Sequence, residues 1–196
     1  QIQNSSGSNL FQVDTAGNNI VIGGNNSGLV SAWQTGNNTG LSGRDAHSLV
    51  TANGYIYMIG GVNSGGTAQS TVQYAKVNTD GNVGDWTTAN ALPNARADGA
   101  AVFANGYIYY TGGSSDNTNA NAKDTVYYAK VNSNGTLGTW QTAATTITQA
   151  RWEHSSVAYN DYLYVIGGKN TGGSSNLTIY SAKIYPDGSV GSWSSN

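Results

Sequence analysis

The sequence repeats itself about every 53 residues, and this period constrains the fold more than any other feature. The register is marked by four tryptophans at spacings of 53, 54 and 53 residues: Trp33, Trp86, Trp140 and Trp193. A period near 50 residues, with several short strands in each unit, is typical of β-propeller blades. A blade cannot bury both of its faces alone, so neighbouring blades must stack on it. We therefore expect an all-β fold of stacked sheets.

The units share a series of strand and turn signals. An apolar strand ends on a glycine pair in each unit, at Gly60, Gly61, Gly112, Gly113, Gly167 and Gly168. Asparagine-glycine pairs, which favour tight hairpin turns, precede this strand at Asn53 and Asn105. The first unit thus has four predicted strands: Ser48–Ala52, Tyr55–Gly60, Val72–Val77 and a short one at Trp86.

Residues 1–24 differ from the repeats and form a separate segment in our prediction, whereas residues 25–196 hold three full blades and a partial one. The segment has too few apolar side chains for a compact domain of its own. It suits one or two strands that pair with another chain or with the last blade near Trp193. The apolar anchors for this assembly are Leu10, Val13, Ile20, Val21 and Ile22.

Charge and composition exclude several classes of function. The net charge is −2 with no basic patch, and nucleic-acid binding requires clustered lysine and arginine, so no nucleic-acid partner is expected. Electrostatic docking to a membrane is excluded for the same reason. No apolar run approaches the ~18 residues of a membrane span, so membrane insertion is not expected. The chain has no cysteine, which excludes disulfides, thiolate catalysis and zinc–cysteine sites.

The repeated motifs are Arg-x-x-His, Asn-Gly-Tyr-Ile-Tyr, Gly-Gly, Tyr-x-Ala-Lys-Val and Gly-x-Trp. In this order they resemble the kelch repeat over residues 44–196, as found in kelch-like blades of large bacterial secreted proteins. The resemblance implies a kelch-type β-propeller of four-stranded blades, here an open or assembled one. The sequence departs from the pattern at Gly99, which replaces the histidine, and at Ser181, which replaces a tyrosine. Residues 1–15 are similar to a repeat of bacterial surface fibres.

The chargeable residues recur at equivalent positions of the units. The candidate binding residues are Arg44, Arg96 and Arg151 at one position and His47 and His154 at another. A catalytic site needs different groups in different roles, so it breaks such symmetry. We expect these residues to belong to the blade scaffold. The alternative is that they surround the mouth of a central channel and bind an anion or a glycan.

An enzymatic interpretation would rest on Glu153, the only glutamate, with Asp98 or Asp45 as its partner in glycoside hydrolysis. The turn from Asp80 to Trp86 is similar to a sialidase Asp-box, but the spacing is one residue too long and the leading serine is absent. No metal site and no cofactor are expected, because the aspartates in the turns stand alone and calcium requires several converging oxygens.

The sequence therefore predicts an extracellular or cell-surface module of a bacterial surface or fibre protein. It displays blades for adhesion or assembly without catalysis, and the choice between an adhesin and a fibre subunit stays open. Its expected partners are other copies or further blades of the same polypeptide, and a surface glycan or protein. The alternatives are a sialidase- or lyase-like glycan-processing propeller and a glycan-binding, lectin-like one. Within the blades we expect Trp86 and Trp140 to be buried and Trp152 to be more exposed.

Overall fold

The computed structural model describes residues 2–3, 9–14, 19–22 and 35–195, and the chain divides into two units, Gln1–Thr35 and Gly36–Asn196. The first unit contains a three-stranded antiparallel sheet. Its strands, in spatial order, are β1 (Ile2–Gln3), β2 (Asn9–Asp14) and β3 (Asn19–Ile22). The segment thus has three strands that pair with one another, where one or two were predicted. Its predicted anchors lie on β2 and β3. Their pairing with another chain or with the last blade stays a prediction, and Trp33 lies outside the described residues.

The second unit consists of three antiparallel four-stranded sheets, which we call the first, middle and last blades. The first blade contains β4 (Ser48–Ala52), β5 (Tyr55–Ile59), β6 (Val72–Lys76) and β7 (Thr87–Ala89). The middle blade contains β8 (Ala100–Ala104), β9 (Tyr107–Thr111), β10 (Val126–Lys130) and β11 (Gln141–Thr142). The last blade contains β12 (Ser155–Tyr159), β13 (Tyr162–Ile166), β14 (Ile179–Ile184) and β15 (Val190–Ser195).

This architecture confirms the all-β prediction and the four strands per unit. Across the described residues the only helical element is a single 3-10 turn at Asn119–Asn121, and none of them forms a long apolar helix that could cross a membrane. The sheets stack in chain order, with β4 beside β8 and β8 beside β12. Stacked blades of this kind are compatible with a propeller-like arrangement.

The hairpin turns fix the register between the first two strands of a blade. Asn53 and Gly54 have φ of 50° and 80°, as a tight turn with two left-handed residues requires. The turn places Ala52 opposite Tyr55, so that β4 and β5 pair without a shift. In the last blade Asn160 takes the same conformation at φ 48°, and an aspartate with φ 60° replaces the glycine.

Two apolar cores lie between the blades. In the first junction Tyr57 and Ile59 of β5 pack with Ile108 and Tyr110 of β9. In the second junction the opposite face of β9, which carries Tyr109, packs on β13 and β14. Successive side chains of β9 point to opposite faces of the sheet. Ile108 and Tyr110 therefore pack on the first blade, and Tyr109 packs on the last.

Glycine pairs bring the backbones of neighbouring blades together. The N–H of Gly61 donates to the carbonyl oxygen of Arg96 at 2.8 Å, and that of Gly113 donates to Arg151 at the same distance. A Cβ atom at Gly60 would lie 2.3 Å from the Arg96 oxygen, closer than any real contact. Because Gly60 also has φ of 66°, no other residue fits this approach.

The tryptophans differ in burial according to the blade that carries them. Trp140 is 6% exposed, and its Nε1 donates to the carbonyl oxygen of Asn90 at 2.8 Å. Trp86 makes the equivalent bond to Asn37 at 3.3 Å but is only half-buried. The expected burial of Trp86 is therefore wrong. Its side of the first blade has no neighbouring blade among the described residues. Trp152 and Trp193 are also half-buried.

Candidate functional site

The repeated arginines lie at the ends of the blades, where each contacts the third strand of its own unit. Arg96 is 4% exposed, and its Nη2 donates to the Tyr127 hydroxyl at 2.8 Å. Arg151 is fully buried and donates in the same way to Tyr180 at 3.3 Å. Both guanidiniums also stack over their tyrosine rings, with the central carbon 5.1 Å from the ring centroid.

Arg44 occupies the same position in the first blade but has different partners. The residue equivalent to the two tyrosines is Gln73, whose Oε1 accepts from Arg44 Nη2 at 3.1 Å. Nη1 donates to the carbonyl oxygens of Gly60 at 3.0 Å and Thr71 at 3.1 Å. Partial burial lowers the pKa of Arg44 through desolvation. This arginine borders a shallow groove of about 430 Å³ that is also lined by Asp45.

The three arginines differ in how much of the side chain is accessible to solvent. Arg96 and Arg151 are buried, so their guanidiniums are not accessible to a ligand in this structure. Their side-chain partners are neutral, so hydrogen bonds and ring stacking take the place of an ion pair. The arrangement favours the scaffold role for these two. Arg44 is half-buried and borders the shallow groove.

The two histidines occupy equivalent positions, but the middle blade has Gly99 there. A Cβ atom at Gly99 would lie 2.5 Å from the ring of Tyr110. The positions equivalent to Tyr110 are Met58 in the first blade and Val165 in the last. A large side chain on the second strand thus fills the space that a histidine fills elsewhere. The missing side chain at Gly99 is therefore compensated by the larger side chain of Tyr110, so that the filled volume is kept.

His154 contributes to a buried polar network at the second junction. Its Nε2 lies 2.8 Å from the hydroxyl of Thr111, which in turn lies 2.8 Å from the Ser156 hydroxyl. Desolvation lowers the pKa of His154 to about 4, and the nearby charge of Arg151 adds to the effect. The imidazole is therefore neutral at physiological pH. It acts as a fixed hydrogen-bonding group of the scaffold.

The loop before the first strand of each blade carries one residue with a strained backbone, and hydrogen bonds join these residues into a ladder. Ala46, Asp98 and Glu153 have φ of 51°, 54° and 52°, a left-handed conformation that non-glycine residues rarely adopt. The N–H of Asp98 donates to the carbonyl oxygen of Ala46, and that of Glu153 to Asp98, each at 2.8 Å. Backbone strain of this kind persists where the surrounding structure holds it. The ladder joins the three blades at their inner ends.

The ladder brings together the carboxyl groups that the sequence singled out. Burial raises the pKa of Asp98, and the charges of Glu153 and Asp45 raise it further. Glu153 forms an ion pair of 2.6 Å with Lys169, whose ammonium lies 5.3 Å from the centre of the Trp152 ring. Asp98 therefore supplies a carboxyl group with a raised pKa, and Glu153 supplies a carboxylate that is ion-paired with Lys169.

The turn aspartates stand apart from this group. Asp80 and Asp187 accept hydrogen bonds from residues two positions later, which lower the pKa of each carboxyl. Among the described residues there is no group of three or more histidine and acidic side chains arranged to hold a metal ion. These aspartates stabilise their own turns.

An aromatic face was one of the expected partners of the arginines, but the sequence did not identify which tyrosines supply it. Tyr127 and Tyr180 follow the first residue of β10 and β14, and their contact with the arginines depends on how the incoming loop lies against the strand. The available signal was positional: the same place in the repeat carries Gln73, Tyr127 and Tyr180, all able to accept a hydrogen bond from a guanidinium.

No family model matches the chain, and no curated protein matches it. Among solved structures 182 chains match. One of them, described as "Structure of YjhT", has a TM-score of 0.61 and 16% sequence identity, with 95% of this chain covered. The match includes 51% of that chain, so the present chain spans about half its length. At this identity the likeness concerns the fold alone.

Proposed function

We propose that this chain is a non-catalytic module of kelch-like propeller blades that serves adhesion or assembly on a bacterial surface. The observation that carries the proposal is the use of the arginines at the blade ends. Arg96 and Arg151 are buried against Tyr127 and Tyr180 in equivalent ways. Groups repeated in this manner serve the architecture of a blade, whereas chemistry needs unlike groups converging at one place.

The surface location and the kelch-like character rest on the sequence. Only 9% of the residues are charged, and the loops after the glycine pairs are rich in asparagine, serine and glycine. The motif order over residues 44–196 supports kelch-like blades, and the three stacked four-stranded sheets are compatible with them. Protease shaving of intact producing cells tests the location: release of fragments from this region supports it, and protection until lysis contradicts it.

A second candidate function is glycan processing or glycan binding at the inner loops. The observation that favours it is the raised pKa of Asp98 close to the charged Glu153. Glycoside hydrolysis uses one protonated and one ionised carboxyl group, and a raised pKa is the usual mark of the acid. Trp152 beside Lys169 adds an aromatic surface at the same end of the last blade.

One experiment separates the two functions. The purified chain is incubated with a panel of fluorescently labelled glycans, and products are followed by chromatography while binding is measured on a glycan array. The non-catalytic module predicts no turnover. Turnover that is lost in Asp98→Asn and Glu153→Gln, and retained in Asp187→Asn, would establish the enzyme instead. Binding without turnover that is lost in the same two variants would assign a lectin-like role.

A further inference from the structure

Three asparagines of the chain are followed directly by glycine: Asn53, Asn105 and Asn134. Asparagine is chemically labile, and a following glycine has no side chain to keep its backbone nitrogen away from the asparagine amide. Asn53 and Asn105 even lie in the same six-residue sequence, Ala-Asn-Gly-Tyr-Ile-Tyr. Any difference in reactivity between these two therefore arises from the fold.

The reaction at such a pair is deamidation, and it consumes only water. The glycine nitrogen gives its proton to solvent and bonds to the side-chain carbon Cγ of the asparagine. The bond between Cγ and Nδ2 then breaks, and Nδ2 leaves as ammonia after taking up a proton. One water molecule opens the resulting five-membered imide. The product is aspartate or its isomer, in which the main chain runs through the side-chain carbons, and no oxidation occurs.

A neighbouring blade restrains the turn at Asn105. Its Nδ2 donates to Oδ1 of Asp161, in the hairpin turn of the last blade, at 2.9 Å. Closure of the imide ring requires the asparagine to rotate out of its turn conformation, so this hydrogen bond must first break. The carboxylate also opposes the negative charge that develops on the attacked amide. The fold therefore slows the reaction at Asn105 in two ways.

Asn134 is restrained by its own turn. Its Oδ1 accepts from the N–H and the hydroxyl of Thr136 at 3.1 Å and 2.7 Å. The attacking nitrogen belongs to Gly135, and its N–H donates to the carbonyl oxygen of Asn132 at 3.0 Å. Gly135 is also buried, and the Tyr55 ring lies 2.6 Å from a Cβ atom built on it. Both reacting groups at Asn134 are thus held in place.

Asn53 has neither kind of restraint. In the blade that follows it, the place of Asp161 is taken by Gly106, which has no side chain to accept a hydrogen bond. Asn53 and Gly54 are both exposed, and among residues 35–195 nothing lies within 4 Å of a Cβ atom built on Gly54. Within that part of the chain the Asn53 amide has no hydrogen-bond partner.

We propose that Asn53 is a site of spontaneous deamidation, whereas Asn105 and Asn134 resist the reaction in the folded chain. The aspartate product keeps the turn, because aspartate followed by glycine favours the same turn type. The isomer adds one carbon to the main chain between Ala52 and Tyr55, which pair directly across the hairpin. Ageing therefore loosens this hairpin in part of the molecules. The inference goes beyond the adhesion or assembly role and does not depend on it.

The test is the rate of deamidation in the full folded chain, kept in mildly alkaline buffer and sampled over time. Trypsin cleavage after arginine and lysine places the three asparagines in separate peptides, spanning residues 45–76, 97–123 and 131–151. Mass spectrometry locates the modified residue in each. Asn53 is expected to react at least about fivefold faster than Asn105, the factor for one ordinary hydrogen bond. Asn134 should react more slowly than Asn53 as well.

Unfolding and one substitution supply the controls. In guanidinium chloride Asn53 and Asn105 should react at equal rates, because their neighbours in sequence are identical. Asp161→Gly removes the acceptor without strain, since φ is 60° there and glycine adopts such values freely. In this variant Asn105 should approach the rate of Asn53, and Asn53 should keep its own rate. Circular dichroism checks the fold, and the new pair that starts at Asn160 lies in a different tryptic peptide.

Two results would overturn the proposal. The first is an Asn105 or Asn134 that reacts as fast as Asn53 in the folded chain, since the fold then does not select the site. The second is an unchanged rate at Asn105 in Asp161→Gly, because the contact with Asp161 is then not what protects it. Neither result bears on the glycan screen or on the surface location, so the proposed function is tested separately.

Discussion

The hydroxyl of Tyr57 donates a 2.8 Å hydrogen bond to the carbonyl oxygen of Gly135, which lies 78 positions later in the chain. Tyr109 and Gly188 repeat the contact across the next junction at 3.0 Å. Both tyrosines are fully buried, and burial raises the pKa of Tyr57 to about 12, so the hydroxyl keeps its proton as a donor. The pair links the second strand of one blade to the outer turn of the next.

Removing this hydroxyl should destabilise the fold. We expect Tyr57→Phe to lower the free energy of unfolding by about 1–3 kcal/mol, because the Gly135 carbonyl then stays buried without its partner. Urea unfolding followed by tryptophan fluorescence measures the change. Tyr164→Phe is the matched control at the equivalent, half-buried position of the last blade. Equal losses in the two variants would show that the bond to Gly135 is not the cause.

The neutral state of His154 predicts acid sensitivity. Its pKa is about 4 in the folded chain and about 6.5 when exposed, so the unfolded chain binds the proton first. The stability is fully present above pH 6.5 and declines as the pH falls toward 4, by about 3 kcal/mol in total. Urea midpoints between pH 7.5 and pH 4 should fall more steeply for the wild type than for His154→Gln. Parallel curves would contradict the shifted pKa.

The compensation between Gly99 and Tyr110 predicts strong coupling. Gly99→His alone should destabilise the chain by about 3 kcal/mol or more, because its side chain overlaps the Tyr110 ring. Tyr110→Val alone should cost about 3 kcal/mol by leaving a cavity. The double variant reproduces the pair that the last blade carries as His154 and Val165. A double-mutant cycle should therefore show a favourable coupling of about 2 kcal/mol, and additive losses would refute the exchange of volume.

Arg151 should tolerate even a conservative change poorly. Arg151→Lys retains the charge but loses the planar stacking on Tyr180 and the forked contacts, in a fully buried position. We expect a loss of about 3 kcal/mol in thermal or urea unfolding. Arg44→Lys, at the equivalent but half-exposed position, is the control and should cost clearly less. The reverse order would show that burial does not decide the requirement for arginine.

The tryptophans give a prediction that depends on blade position. Trp140→Ala should cost about 3–5 kcal/mol, the usual loss for emptying a buried aromatic site. Trp86→Ala should cost less, because Trp86 is half-buried where its blade has no described neighbour. Differential scanning calorimetry on both variants measures the difference. A greater loss for Trp86→Ala would indicate that its side of the first blade is covered in solution.

Most of the strand pattern followed from the sequence because its causes are local. The alternation along Tyr55–Ile59 and the turn at Asn53 depend only on neighbouring residues, and the structure has both where they were expected. The roles of the glycine pairs were less evident. Their close approach to the next blade's arginine carbonyl depends on a contact between units.

The contacts that define the candidate site were beyond local reasoning. Whether Arg151 reaches Tyr180 depends on the path of a loop, and no periodicity encodes it. Equivalent positions in two units also gave a wrong prediction where their surroundings differ. Trp86 and Trp140 share a motif, but among the described residues only Trp140 has a neighbouring blade packed on it. The volume exchange between Gly99 and Tyr110 was visible in principle, as two departures from the repeat within one unit.

The long span between Tyr57 and Gly135 has a consequence during synthesis. Within a blade the strands pair with near neighbours, so each sheet can form soon after its residues leave the ribosome. At about 5–20 residues per second, the Tyr57 hydroxyl waits about 4–16 s for the turn that accepts its hydrogen bond. Throughout that delay the first blade exposes the aromatic face that carries Tyr57. Slow translation of the second repeat would prolong this exposure, whereas fast translation shortens it.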